Sequence, residues 1–328
     1  MADVRRAVRE AWERVGVTSG QLVLVACSGG ADSLALAAAA AFEGKRAGVR
    51  VGAVIVEHGL QKETADVAER TAATLRELGL EPVTVVPVTV KAKSGAGMEA
   101  AAREARYQAL EAQAMGSGAR FVMLAQTLND QAETVLLGLA RGSGARSLAG
   151  MAEVNGIYLR PLLQIERATT EAFCNDSGLN FWVDPHNSDS KYSRVRVRSS
   201  VLPTLEAELG PGVAQALART ADILREDADY LDQVAGDAFA HLATERGNQI
   251  FFDAQDLAQV PKAIRLRLFQ TALQRFAAPH TRSQLLAIDA LVTNFHGQRA
   301  AALAGVRVER INGQIGFKLI KNLSPGAC

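Results

Sequence analysis

The chain has 328 residues, 48% of them hydrophobic and 22% charged, enough for two domains with sizeable cores. Its formal charge is +1, so any contact with nucleic acid must come from local clusters of Lys and Arg. Cys27, Cys174 and Cys328 include no Cys-x-x-Cys pair, which argues against a disulfide framework, a zinc ribbon or an iron–sulfur site built from such pairs. Met1 to Glu10 is charged and helix-patterned, unlike a signal peptide. The apolar run Ala35 to Phe42 is far shorter than the roughly 20 residues that span a bilayer. These features read as a reduced, cytoplasmic, soluble protein without membrane association.

Taken in chain order, Leu22 to Ala26 reads as a buried strand followed by a glycine turn and an alanine-rich helix. Val49 to Val56 is a second strand and Thr64 to Leu78 its helix. Val83 to Val90 is a third strand interrupted by Pro87, hence an edge or a frayed one. Met98 to Met115 is helical, Arg120 to Ala125 a fourth strand, and Asp130 to Ala140 helical again. Strands separated by helices predict an α/β domain with a parallel sheet flanked by helices on both faces. Arg141 to Asn155 reads as an ordered loop, and residues 186–200 show no apolar periodicity. Beyond Pro203 the pattern is helical to Leu242, then again over Pro261 to Phe276 and Ser283 to Phe295. Val306 to Leu319 alternates like a hairpin around Asn312-Gly313. We therefore expect a sheet domain over residues 1–210 and a smaller, mainly helical domain over 211–328.

The segment Ser28-Gly29-Gly30-Ala31-Asp32-Ser33 lies between the first strand and its helix. Paired glycines let the backbone turn and approach a ligand closely, and the first amides of the helix favour an anion. Ser28 and Ser33 add hydroxyls. Asp32 would repel a phosphate unless a cation lay between them, and magnesium binds in that way, through one or two carboxylates and substrate phosphates. On local residues alone, a helix cap and a chain turn explain the same pattern. The segment is neither a Walker A loop nor a dinucleotide fingerprint.

Ser-Gly-Gly-x-Asp-Ser after a first strand resembles the pyrophosphate (PP) loop of the N-type ATP pyrophosphatases, which cleave ATP to AMP and pyrophosphate. Four further segments resemble the tRNA(Ile)-lysidine synthase family in particular. They are Val56-Glu57-His58-Gly59-Leu60, Glu99 to Leu110, Leu128 to Gly144, and Trp182 to Pro203. The resemblance covers about residues 22–205 and implies a Rossmann-like PP-loop domain. The remaining third resembles the family's helical second domain, assigned to tRNA binding, without the extra C-terminal domain of longer members. Sulfur-transferring relatives need a persulfide-bearing cysteine or a cluster, and Cys27 beside the loop has no partner cysteine.

What the resemblance implies is a reaction. The C2 oxygen of the wobble cytidine of a tRNA(Ile) with a CAU anticodon attacks the α-phosphate of ATP, and the ε-amine of free L-lysine then displaces AMP. Ser28 to Ser33, His58 and Arg141 would hold ATP, and Asp32 and Asp130 would share Mg2+ and the catalytic work. Asp130 and Glu133, three apart at a helix start, share a face. Glu133 is expected at the ammonium groups of the substrate lysine and Arg106 at its carboxylate. Without the family match, acids in a first helical turn need only complement the helix dipole.

Lys191, Arg194, Arg196 and Arg198 are expected to bind tRNA. In an extended chain the three arginines would alternate with Val195 and Val197 and form a comb for phosphates, which Arg146 and Arg160 would extend. The family's Gly-His-His is replaced here by Ala125-Gln126-Thr127, so a titrating histidine is missing. Two other readings stand beside this one: a PP-loop ligase acting on a small molecule, and a catalytically impaired tRNA-binding paralogue. The sequence does not fix the oligomeric state, a homodimer being one option.

Overall fold

The structure is a computed structural model that describes residues 1–57, 62–88, 98–142, 144–184, 191–303 and 305–320. The contacts divide the chain into two compact units, Met1–Leu224 and Arg225–Cys328.

The first unit runs α1 (Ala2–Arg14), β1 (Leu22–Ala26), α2 (Ala31–Ala47), β2 (Arg50–Glu57), α3 (Lys62–Glu77), β3 (Val83–Pro87), α4 (Met98–Ser117), β4 (Phe121–Met123) and α5 (Leu128–Ala140). It continues through α6 (Ala145–Leu148), β5 (Val154–Asn155), β6 (Tyr158–Leu159), α7 (Arg167–Asp176), α8 (Ser193–Arg196), a π-helical turn Val197–Val201, and α9 (Leu202–Leu209). Helix α10 (Val213–Leu242) carries the chain across the division.

The six strands lie in the order β3-β2-β1-β4-β6-β5, parallel except for β5 against β6. Side chains alternate across β1 because successive Cβ atoms point to opposite faces. Val23 and Val25 pack with apolar residues of α1, α2, α3 and α7, whereas Leu22, Leu24 and Ala26 pack with Leu110 and Ala114 of α4. Covering both faces is what keeps a parallel sheet stable. After β3 the chain returns to the other side of β1, so β1 and β4 flank a topological switch point. Their carboxyl ends open there into the crevice where such sheets bind ligands.

The second unit contains the later turns of α10, then β7 (Thr244–Arg246), β8 (Gln249–Asp253), α11 (Ala254–Gln259), α12 (Lys262–Arg275), α13 (Arg282–Thr293), β9 (Ala301–Leu303), β10 (Val306–Ile311) and β11 (Gln314–Leu319). Helix outweighs strand, and the expected hairpin is β10–β11. The strands nevertheless form a five-stranded sheet, β7-β8-β11-β10-β9, of which the hairpin is the only part evident in the sequence pattern. Phe252, Phe269 and Phe317 are buried at its core.

The division falls inside α10 rather than near residue 210. Ala214 and Ala218 pack with Leu128, Ala132, Val197 and Leu202, while Ala235 and Phe239 belong to the second core. The composition shift near 210 marks the loop between α9 and α10, where Gly210 and Gly212 take positive φ.

Candidate active site

The loop after β1 turns at Gly29, whose φ of +83° favours glycine, and an added Cβ there would lie 2.6 Å from Thr71 Oγ1. Ser33 closes the turn: its hydroxyl donates to Gly30 O at 2.9 Å and accepts from Ser28 N at 3.2 Å. Gly30 is the N-cap of α2, so the first-turn amides of that helix, which have no intrahelical acceptor, begin at the loop. The Trp182 amide donates to Gly29 O at 2.9 Å and ties a distant segment onto the turn.

Two cavities meet at this loop. One, of about 250 Å³, lies at the ends of β1 and β2 and is mostly apolar, lined by Val54, Val56, Val67, Ala68 and Trp182. The other, of about 490 Å³, is polar and takes in Ser28 and Gly30 to Ser33 together with Asp130, Arg167, Arg194 and Arg198. Ala26, Ser28, Arg106 and Trp182 line both.

Asp32 leaves the first turn of α2 toward α7. It accepts from the Thr170 hydroxyl in a short hydrogen bond and from Arg167 Nε at 3.3 Å. Burial pushes its carboxyl above the usual carboxylate range, while the Thr170 hydrogen bond and the Arg167 charge act the other way. Asp130 uses one oxygen as a helix brace, since Thr127 N and Oγ1 donate to Oδ2 at 2.9 and 3.1 Å. Its other oxygen, Oδ1, faces Arg167 at 3.0 Å, Arg198 at 3.2 Å and Arg194 at 3.8 Å.

Glu133 has a fully buried side chain. Arg194 Nε donates to its Oε2 and Arg198 Nε to its Oε1, both at 2.7 Å. An ammonium could reach Glu133 only by displacing one of these guanidinium groups. Burial alone would lower the Arg198 guanidinium, but the hydrogen bond and charge of Glu133, then Asp130, hold it above its ordinary value. Arg106 differs. Burial pushes it below the ordinary guanidinium range, and among the described residues no acid is paired with it.

The arginine comb does not form. Residues 193–201 are helical, and Arg194 and Arg198, four apart, turn the same way onto Asp130 and Glu133. Arg196 bonds instead to Lys191 O at 2.9 Å and Ser193 Oγ at 3.1 Å, on the exposed side with Lys191. Arg160 is buried and donates to Ala152 O, so it does not extend a surface. Arg141 caps the far end of α5, about 20 Å along the axis from its start at 1.5 Å per residue, and does not join the loop. His58 lies outside the described residues. Gln126 lines the polar cavity, and its buried Oε1 has no hydrogen-bond partner among the described residues.

A PP-loop domain family (ATP_bind_3) matches residues 2–205. The chain is 53% identical over 300 residues to a tRNA(Ile)-lysidine synthase of Leifsonia xyli subsp. xyli, covering 91% of this chain and 90% of that protein. It is 50% identical over 316 residues to one from Thermobifida fusca, covering 95% and 94%. The chain belongs to the tRNA(Ile)-lysidine synthase family. In fold it is similar to the U34-tRNA thiolase NcsA of Methanococcus maripaludis, with a TM-score of 0.58 and 20% identity over 69% of this chain and 79% of that one.

For a member of this family, the site holds two residues that the motifs did not single out. Arg167 and Thr170, on α7, complete the surroundings of Asp32. Among the described residues no group of three or more His, Cys, Asp or Glu could hold a metal. Asp32 and Asp130, facing the phosphate loop with one oxygen each toward Arg167, instead fit a cation that brings further ligands with it. Magnesium on a nucleotide is such a cation. No helix among the described residues is long and apolar enough to cross a membrane.

Proposed function

We propose that the chain ligates free L-lysine to C2 of the wobble cytidine of tRNA(Ile) with a CAU anticodon, converting ATP to AMP and pyrophosphate in a reducing cytoplasm. The observation that carries this reading is the junction of the two cavities at the glycine loop, with Arg106 lining both and Asp32 and Asp130 lining the polar one.

The nucleoside of ATP occupies the apolar cavity against Trp182, and its phosphates cross Ser28 to Ser33 over the first turn of α2. Asp32 and Asp130 would hold magnesium, which when bound neutralises phosphate charge. The cytidine C2 oxygen forms a bond to the α-phosphorus as the bond to pyrophosphate breaks. Arg167, Arg194 and Arg198 line the same cavity and face the negative charge of that step. In the second step the lysine ε-amine attacks C2 and AMP leaves. The amine must first lose a proton, its unperturbed pKa being about 10.4, and Asp130 is the assigned carboxylate for magnesium or for that proton.

Arg106 receives the lysine carboxylate as a bidentate partner, a role supported by its position at both cavities and by the absence of a paired acid among the described residues. Glu133 acts chiefly by holding Arg194 and Arg198 in place. The exposed Lys191 and Arg196, with the second unit, are assigned to the body of the tRNA. Free thiols at Cys27 and Cys174 support the reducing setting.

The test combines the protein with ATP, labelled lysine and a tRNA(Ile) transcript bearing CAU, beside a control tRNA. Label should enter only the CAU transcript, with one AMP released per lysine. ATP–pyrophosphate exchange without RNA would instead make it a small-molecule ligase, and tRNA binding without label an impaired paralogue.

A further inference from the structure

Arg167 stands where three acids meet. Its Nε donates to Asp32 Oδ2 at 3.3 Å, its Nη2 to Asp130 Oδ1 at 3.0 Å, and its Nη1 lies 3.8 Å from Glu133 Oε1. Nε and Nη2 share one edge of the planar guanidinium, and their N–H bonds point the same way. That edge ordinarily grips both oxygens of a single carboxylate. Here it gathers one oxygen from each of two acids, 98 positions apart in sequence (130 − 32), and so sets those oxygens side by side. The rest of each carboxylate is already engaged, Asp32 by Thr170 and Asp130 by Thr127. The pair of oxygens in the fork is therefore the pair a metal shared by Asp32 and Asp130 would need, and one position cannot hold both cations.

The guanidinium has somewhere else to go. Arg167 lines the polar cavity with the phosphate loop, so a triphosphate laid over Gly30 to Ser33 offers it a second bidentate partner. Its backbone stays anchored meanwhile, since Arg167 N donates to Asn129 Oδ1 at 2.9 Å at the start of α7. Only the long side chain has to move. Arg194 and Arg198 are less able to trade partners, because each is bonded at 2.7 Å to the buried Glu133.

We infer that Arg167 is a resident counter-cation: it occupies the metal position while the nucleotide is absent and yields Asp32 and Asp130 to magnesium when phosphates arrive to take its guanidinium. The site then excludes free divalent metal and accepts it only together with nucleotide, a coupling between two ligands through one side chain. This rests on the proposed metal role of Asp32 and Asp130, and it assigns Arg167 a positioning role in loading the site.

The test uses manganese(II) as the probe for magnesium and reads binding rather than turnover, by water-proton relaxation on the whole chain. Wild type should bind manganese weakly alone and about tenfold or more tightly once a non-hydrolysable ATP analogue is present, after correction for metal held by free analogue. Arg167→Gln should bind manganese about tenfold tighter than wild type without nucleotide, Arg167→Lys should resemble wild type, and adding Asp32→Asn to Arg167→Gln should remove the gain. A merely structural Arg167 would lower the melting temperature of Arg167→Gln and leave manganese affinity unraised. That result overturns the inference, as does wild type binding manganese equally tightly with and without the analogue. Should Arg167→Gln fail to fold, the wild-type pair of titrations decides alone. Lysine transfer is scored separately, so a failed transfer assay with manganese exclusion intact would remove the proposed reaction and leave the role of Arg167 standing.

Discussion

The glycine loop and the acid–arginine cluster face one cavity, yet they are built by different means. The loop is held by backbone: a left-handed glycine, a serine that closes the turn, and the free end of α2. The cluster is held by side-chain charge, with Asp32, Asp130 and Glu133 tied to Arg167, Arg194 and Arg198. Backbone placement is stiff and suits a fixed phosphate cradle. Charge pairs in a polar cavity can exchange partners, which would suit the metal, nucleobase and amino acid that the proposed function brings there in turn. In the proposed function the loop and Asp32 would serve adenylation, and Arg106, outside the cluster, would serve the capture of lysine.

The largest expected effect breaks the link between the halves. Asp32→Ala should lower AMP formation by about 10²–10³-fold or more while leaving tRNA affinity in a filter-binding assay nearly intact. A large loss of tRNA affinity would mean that Asp32 serves the RNA. Arg198→Ala comes next. It removes hydrogen bonds to both Glu133 and Asp130, and charge-assisted bonds of this kind contribute about 1.5–3 kcal/mol, so denaturant unfolding should show a loss of that order. Gly29→Ala should cost about 1–2 kcal/mol for the left-handed backbone alone and weaken ATP binding in calorimetry. Added salt sharpens the contrast, because screening acts on the part-exposed arginines and leaves the backbone turn unchanged. The smallest effect concerns the thiols. Burial raises Cys27 and pushes Cys174 up to about 12, so at pH 8 both should escape alkylation in the folded protein and react after unfolding, as mapped by mass spectrometry.

The same contrast explains what the sequence made legible. The loop is one continuous strand–turn–helix, so its residue types reveal both its geometry and its ligand class. Asp130 and Glu133 were readable for the same reason, as neighbours on one helical face. Arg167 was not, because it meets Asp32 across 135 positions and sits in a helix with no distinctive motif of its own. Arg194 and Arg198 were visible as residues and misjudged in geometry. Val195 and Val197 alternate with them as in a strand, and the segment is too short to display a helical period. In the helix actually formed, four-residue spacing brings both guanidiniums onto Glu133. In the second unit, β8 is only five residues long and its pairing with β11 is non-local, so the sheet around the hairpin was not readable from local pattern.

The proposed division of labour, adenylation at Asp32 and lysine capture at Arg106, is tested most directly by trapping the intermediate. The protein, ATP labelled at the α-phosphate and the CAU transcript are mixed without lysine, and label on the tRNA is measured in a single turnover. Wild type and Arg106→Ala should both accumulate adenylated tRNA, Asp32→Ala should not, and added lysine should discharge the adenylate in wild type far faster than in Arg106→Ala. Loss of adenylated tRNA in Arg106→Ala as complete as in Asp32→Ala would contradict the account.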